Sequence, residues 1–170
     1  MNKKKTIIIE DEEDLSELMK SILEKTGRYE VLTAFNGMSG KKLCEETLPD
    51  LVFLDFVMPK MKGDEVLEFL KKNEHTKKIP VILMSGLGEM VYFKDKDKWR
   101  WLPNNKNLQT IEDRGDIPST LKWRRSTEAV KAELGVAGYL AKPFSKESVL
   151  QATEEVLSSH SPASEKSNDD

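Results

Sequence analysis

The run Leu51-Val52-Phe53-Leu54, four large apolar residues in succession ending on one carboxylate, Asp55, constrains this chain more than any other stretch. A strand with one face in water alternates apolar with polar residues. A strand with no polar position must be covered on both faces, as central strands of parallel sheets are. The run follows the turn signal Pro49-Asp50, and Asp55 stands at its carboxyl end. In open α/β sheets that edge forms the crevice where ligands bind. An acid there is costly unless it is solvated, paired or metal-bound. Taken alone, Asp55 reads equally well as a residue that ends the strand and caps the next turn.

Other stretches supply the rest of such a sheet. Thr6-Ile7-Ile8-Ile9 predicts a buried first strand and Glu30-Val31-Leu32-Thr33-Ala34 a second. Ile79-Pro80-Val81-Ile82-Leu83-Met84 predicts a fourth, ending at Ser85-Gly86, and Gly138-Tyr139-Leu140-Ala141 a fifth, leaving through Lys142-Pro143-Phe144. Helical spacing fills the intervals. Leu15, Leu18, Met19, Ile22 and Leu23 mark a first helix stopped by Gly27, with the acids Glu10 to Asp14 suited to its N-terminus. Asn36 caps a second that runs to about Thr47, and Val66, Leu67 and Leu70 mark a third beyond a Pro59/Gly63 loop. Thr127 to Leu134 predicts a helix ended by Gly135. Ser145 caps a last one, with Val149, Leu150, Thr153, Val156 and Leu157 on its apolar face. Five strands alternating with helices predict an α/β fold, a doubly wound five-stranded parallel sheet with right-handed crossovers.

Composition removes several classes of function. At 170 residues the chain fits one domain with a sizeable core. A net charge of -3 gives no general case for DNA or for an anionic membrane. No apolar stretch approaches the roughly 20 residues of a membrane span, and Met1-Asn2-Lys3-Lys4-Lys5 leads straight into a strand, which places the protein in the cytoplasm. Cys44 is the one cysteine, so an internal disulfide and a cysteine zinc site are excluded; within a helical pattern it reads as a buried small hydrophobe. His75 and His160 are the only histidines and both lie in polar surroundings, which argues against a His-rich metal site or a Ser-His-Asp triad.

The alternation breaks between Leu87 and about Arg125, where no clean period is found. This stretch holds Trp99, Trp101 and Trp123. Nine basic residues (Lys94, Lys96, Lys98, Arg100, Lys106, Arg114, Lys122, Arg124, Arg125) against six acids (Glu89, Asp95, Asp97, Glu112, Asp113, Asp116) give it a net of +3. A structureless loop of that length is unusual in a compact domain, so it is folded in part or functional. From Ser158 the chain turns polar and is expected to be disordered.

The fold brings the chemistry together. If strands one, three, four and five are parallel neighbours, their carboxyl ends present Glu10 and Asp11, Asp55, Ser85 and Lys142 around one crevice. Three carboxylates within a few Å raise one another's pKa unless a cation sits among them, and a hard divalent ion such as Mg²⁺ suits that donor set. A lysine and a small hydroxyl complete a pocket for a phosphoryl group.

Ile9-Glu10-Asp11, Leu54-Asp55-Phe56-Val57-Met58-Pro59 with Gly63, Ser85-Gly86, and Tyr139-Leu140-Ala141-Lys142-Pro143-Phe144 together resemble the receiver domain of two-component response regulators. The resemblance covers about residues 4–86 and 126–158. It implies a flavodoxin-like, three-layer α/β/α receiver over residues 1–158, with residues 87–125 inserted between the fourth strand and fourth helix and a polar tail over 159–170. It further implies that Asp55 is the phosphoacceptor, served by a histidine kinase, a phosphotransfer protein or a small phosphodonor. Mg²⁺ would be held by Glu10, Asp11, Asp55 and the main-chain carbonyl of Val57. Lys142 would pair with the phosphoryl oxygens across a cis Lys142-Pro143 bond, Ser85 would be the switch hydroxyl, and Tyr139 the aromatic that follows it.

The insert departs from the family pattern beside Ser85. It reads as a surface elaboration, as a partner-docking element anchored by Trp99, Trp101 and Trp123, or as a site for a nucleotide or single-stranded nucleic acid. For the whole chain the leading expectation is a stand-alone, non-enzymatic switch acting through protein contacts, with its downstream target unassigned. A pseudo-receiver that binds a ligand or partner without phosphorylation is the first alternative. An Mg²⁺-dependent phosphohydrolase is the second, opposed by the apolar Val57 where such enzymes need a second acid.

Overall fold

The computed structural model describes residues 2–58, 63–85, 88–93, 98–103, 131 and 134–160, the two stretches within 88–103 as backbone only. A five-stranded sheet runs through it in the order β2-β1-β3-β4-β7. Its strands are β1 (Lys4–Ile9), β2 (Tyr29–Ala34), β3 (Leu51–Asp55), β4 (Val81–Ser85) and β7 (Gly138–Ala141), and every pairing among them is parallel. Helices α1 (Glu13–Glu24), α2 (Gly37–Thr47), α3 (Gly63–Lys72) and α4 (Lys146–Ser159) fill the crossovers and the exit.

Two apolar layers explain the unbroken runs. Ile7, Ile9, Val52 and Leu54 face one side, packed with Cys44 of α2 and Val66, Leu67 and Leu70 of α3. Ile8, Leu51, Phe53 and Met84 face the other, packed with Met19 and Leu23 of α1 and Val149 and Val156 of α4. Alternate residues of Ile7–Ile9 and Leu51–Leu54 therefore serve opposite cores, and neither run has a position left for a polar side chain. Each such side chain removed from water contributes about 1.5–3 kcal/mol, so this double burial fixes the register.

The helix ends follow their capping residues. The Asn36 side chain accepts from the Ser39 amide at 2.9 Å, and Ser145 and Ser148 form a reciprocal capping box at the start of α4. At the opposite edge Asp50 ties β1 to β3, pairing with Lys4 Nζ at 2.8 Å and accepting from the Lys5 amide at 2.8 Å. One expected core residue is misplaced. Leu18 is 55% exposed, because Ser16, Met19 and Leu23 are the α1 residues that turn toward the sheet.

The region without a clean period contains an antiparallel pair, β5 (Gly88–Phe93) and β6 (Lys98–Pro103), in register Tyr92 to Trp99 and Met90 to Trp101. It forms its own two-stranded sheet. The helix expected over 127–134 falls largely outside the described residues, although Lys131 and Leu134 are helical. Of the expected polar tail, Ser159 still belongs to α4 and 161–170 lie outside the described residues. No helix of the described residues is long and apolar enough to cross a membrane.

Candidate functional site

Three strand ends build a charged cluster at the carboxyl edge. β1 ends at Ile9, so Glu10 and Asp11 emerge beside the central strand; that strand, β3, ends on Asp55. Glu10, Asp11 and Asp55 each offer a carboxylate oxygen, and these oxygens lie within 4.8 Å of one another. Glu10 and Asp55 are buried, whereas Asp11 is exposed, so the cluster opens to solvent on the Asp11 side. The cis Lys142-Pro143 bond follows β7, and Lys142 Nζ lies 2.6 Å from Glu10 Oε2 and 3.0 Å from Asp55 Oδ2.

The electrostatics follow from this crowding. Burial pushes Glu10 up to about 7, opposed by its contact with Lys142 and reinforced by the charge of Asp55. Burial alone lowers Lys142, but contact with Glu10 and the charge of Asp55 outweigh it and leave the ammonium above its ordinary value. The ion pair to Glu10 is close in distance yet poorly aligned, and Glu10 Oε2 has no hydrogen bond of proper geometry. Asp55 Oδ1 accepts from the Val57 amide at 3.1 Å, which orients the carboxylate and turns the Val57 side chain, 53% exposed, outward.

Ser85 ends β4 and is fully buried, in register with Ala141, and its carbonyl accepts from the Lys142 amide at 2.7 Å. Tyr139 lies two residues back along β7, opposite Leu83, half-buried against the α2/α3 core rather than within the charged cluster. Trp99 and Trp101 lie on β6 and Trp123 outside the described residues, so none of the three is placed as a docking side chain.

A family model for the response regulator receiver domain matches residues 6–96, more than half of the chain. The chain belongs to that family.

Among its relatives, this receiver is 37% identical over 84 residues to the DNA-binding dual master transcriptional regulator RpaA of Synechocystis, a match covering 49% of this chain and 34% of that one. It is 34% identical over 83 residues to the polar-differentiation response regulator DivK of Brucella anthropi, covering 49% of this chain and 67% of DivK. The receiver thus spans about a third of RpaA. Its fold matches a putative response regulator from Chloroflexus aurantiacus with a TM-score of 0.65 at 18% identity, over 92% of this chain and 99% of that one. The flavodoxin-like architecture is that of this family, whose members are signalling switches rather than typical enzymes.

The receiver's cluster is able to hold a hard divalent cation. Its donors are three carboxylates with one open side, and the misaligned buried Glu10 Oε2 is an acceptor that such an ion would satisfy. Among the described residues, Lys142 is the cation paired with both buried acids.

One site residue was legible only as part of a motif. Gly63, the first residue of α3, donates its amide to the Phe56 carbonyl at 3.1 Å. A Cβ there would stand 2.7 Å from Phe56 Cα and closer still to the Asp55 carbonyl. The signal in the sequence is a glycine at a helix start where Ser, Asp or Pro is more usual.

Proposed function

We propose that this receiver accepts a phosphoryl group on Asp55 in the presence of Mg²⁺ and works as a phosphorylation-dependent switch through protein-protein contacts. The observation that carries this is the meeting of Asp55 with Glu10, Asp11 and Lys142 at one solvent-open edge, within 4.8 Å for the acids and at 3.0 Å for the lysine. Transfer from a phosphohistidine of a kinase or phosphotransfer protein breaks that donor's N–P bond, the electron pair leaving with the imidazole, and forms a P–O bond to the Asp55 carboxylate. Glu10, Asp11, Asp55 and the Val57 carbonyl would hold the Mg²⁺, which supplies positive charge for the phosphoryl oxygens.

The side chains do the rest. The Val57 amide fixes one Asp55 oxygen. Lys142, tied to both acids beforehand, takes a phosphoryl oxygen as its new partner. The added charge, about -1.5 to -2 at neutral pH, draws the Ser85 hydroxyl toward it, and Tyr139 on the neighbouring strand follows. A hydrolytic role is disfavoured because the outward Val57 offers no acid to protonate a leaving group.

The test is beryllofluoride or a small phosphodonor with Mg²⁺, applied to wild type and Asp55→Asn, read by intact mass and tryptophan fluorescence. Labelling or a spectral change confined to wild type supports the proposal. Identical behaviour of the two proteins removes it.

A further inference from the structure

At the amino-terminal edge of the sheet, opposite Asp55, lies a cavity of about 480 Å³. Its walls come from the end of α3, the α3–β4 loop, the segment leading into β7 and His160, which caps the end of α4. That volume falls within the roughly 300–1,000 Å³ of small-molecule sites. The inner wall is apolar, built from Leu70, Ile79, Pro80, Val81 and Val136. The polar lining is basic: Lys71, Lys77, Lys78, Lys131 and His160 contribute, and no acid among the described residues lines it. The chain as a whole carries -3, so this concentration of cations runs against its overall charge.

Local geometry holds part of that charge in place. Lys71 Nζ donates to the Leu134 carbonyl, and Gly135 beside it has φ of 59°, where a Cβ would collide with that ammonium. Partial burial lowers the Lys71 pKa, the mark of a cation whose hydration is incompletely replaced. Lys77 pairs with Glu74 at the rim, outside the lining. Lysine ammonium groups are compact point charges suited to phosphate oxygens, and the apolar wall suits a ring or hydrocarbon body.

We infer that this cavity is a second ligand site, separate from the Asp55 cluster, that takes a small phosphorylated molecule of nucleotide size, its phosphates on the lysine rim and its body on the apolar wall. The ligand would rest on the amino ends of β4 and β7, whose carboxyl ends carry Ser85 and lead into Lys142.

The probe is trinitrophenyl-ATP, titrated into the full chain in EDTA, so that no divalent ion draws phosphate to the Asp55 edge. The expected result is saturable fluorescence enhancement, competed by ATP and not by adenosine, with affinity reduced at least tenfold in Lys78→Glu and unchanged in Asp55→Asn. Lys78 is exposed, and a thermal melt verifies that the variant folds. The inference is overturned by any of four results: no saturable binding up to millimolar probe, equal affinity in Lys78→Glu, adenosine competing as well as ATP, or binding lost in Asp55→Asn.

Discussion

Lys142 Nζ stands closer to Glu10, at 2.6 Å, than to Asp55, at 3.0 Å, yet its well-aligned hydrogen bond is the one to Asp55. In the metal-free protein this ammonium is the counter-charge for both acids.

Removing it leaves two buried acids uncompensated. Lys142→Met is expected to lose about 3 kcal/mol in urea unfolding near neutral pH, the low end for a broken buried pair, because the lysine retains 20% exposure. Saturating Mg²⁺ should return part of that loss. A variant as stable as wild type in EDTA would show that the pair is a surface contact of little energetic weight.

Glu10 sets a pH dependence of definite sign. Folded, it keeps its proton to about pH 7; unfolded, it releases it near 4.5. Between those values the folded state binds more protons, so its contribution to stability is greatest below pH 4.5 and is lost as pH rises through 7. Melting temperatures in EDTA, taken as wild type minus Glu10→Gln, are expected to decline across this window and to flatten with Mg²⁺. A difference that grows with pH contradicts the assignment.

Gly63→Ala tests the close approach of α3 to the end of β3 at Asp55. Alanine at a helix start is otherwise neutral or favourable, so the overpacking cost, about 1–3 kcal/mol, should show directly in denaturation. The shift of the Asp55 carbonyl should also slow phosphoryl uptake severalfold. Wild-type uptake and stability would mean the helix end relaxes freely.

The capping serine separates stability from chemistry. Ser145→Ala removes the Ser145 half of the capping box on α4 and should cost about 1 kcal/mol while leaving the rate of Asp55 labelling unchanged. Loss of labelling would tie α4 to the site more directly than its position implies.

The aspartyl phosphate is expected to persist for minutes or longer after the donor is removed, since the side chain of Val57 gives an attacking water no polar guide. Val57→Asn should shorten its lifetime severalfold. Decay of the wild-type protein within seconds, followed by intact mass, would count against this.

Much of this was legible in the residues because double burial writes itself plainly. Leu51 to Leu54 and Ile7 to Ile9 have no polar position, and that leaves few folds open. The acids and Lys142 were legible through one inference, that parallel strands bring their carboxyl ends to a common edge. The β5–β6 pair was not, for two reasons. Its linker Lys94-Asp95-Lys96-Asp97 has neither glycine nor proline to announce a turn, and antiparallel pairing depends on a partner strand that one strand's pattern does not reveal. Leu18 departs from expectation because an apolar set wider than the buried face of the helix still fits a helical period. The run Glu10 to Asp14 divides between two roles: Glu13 and Asp14 lie in the first turn of α1, while Glu10 is interior at the strand end. The lysine-lined cavity escaped because loop ends distant in sequence assemble it.

The Lys142 amide hangs on the Ser85 carbonyl, so β4 and β7 finish in a single clasp. Ser85 and Lys142, at the ends of neighbouring strands, are thereby mounted on one shared hinge pin. A shift of the backbone at either strand end is therefore carried to the other.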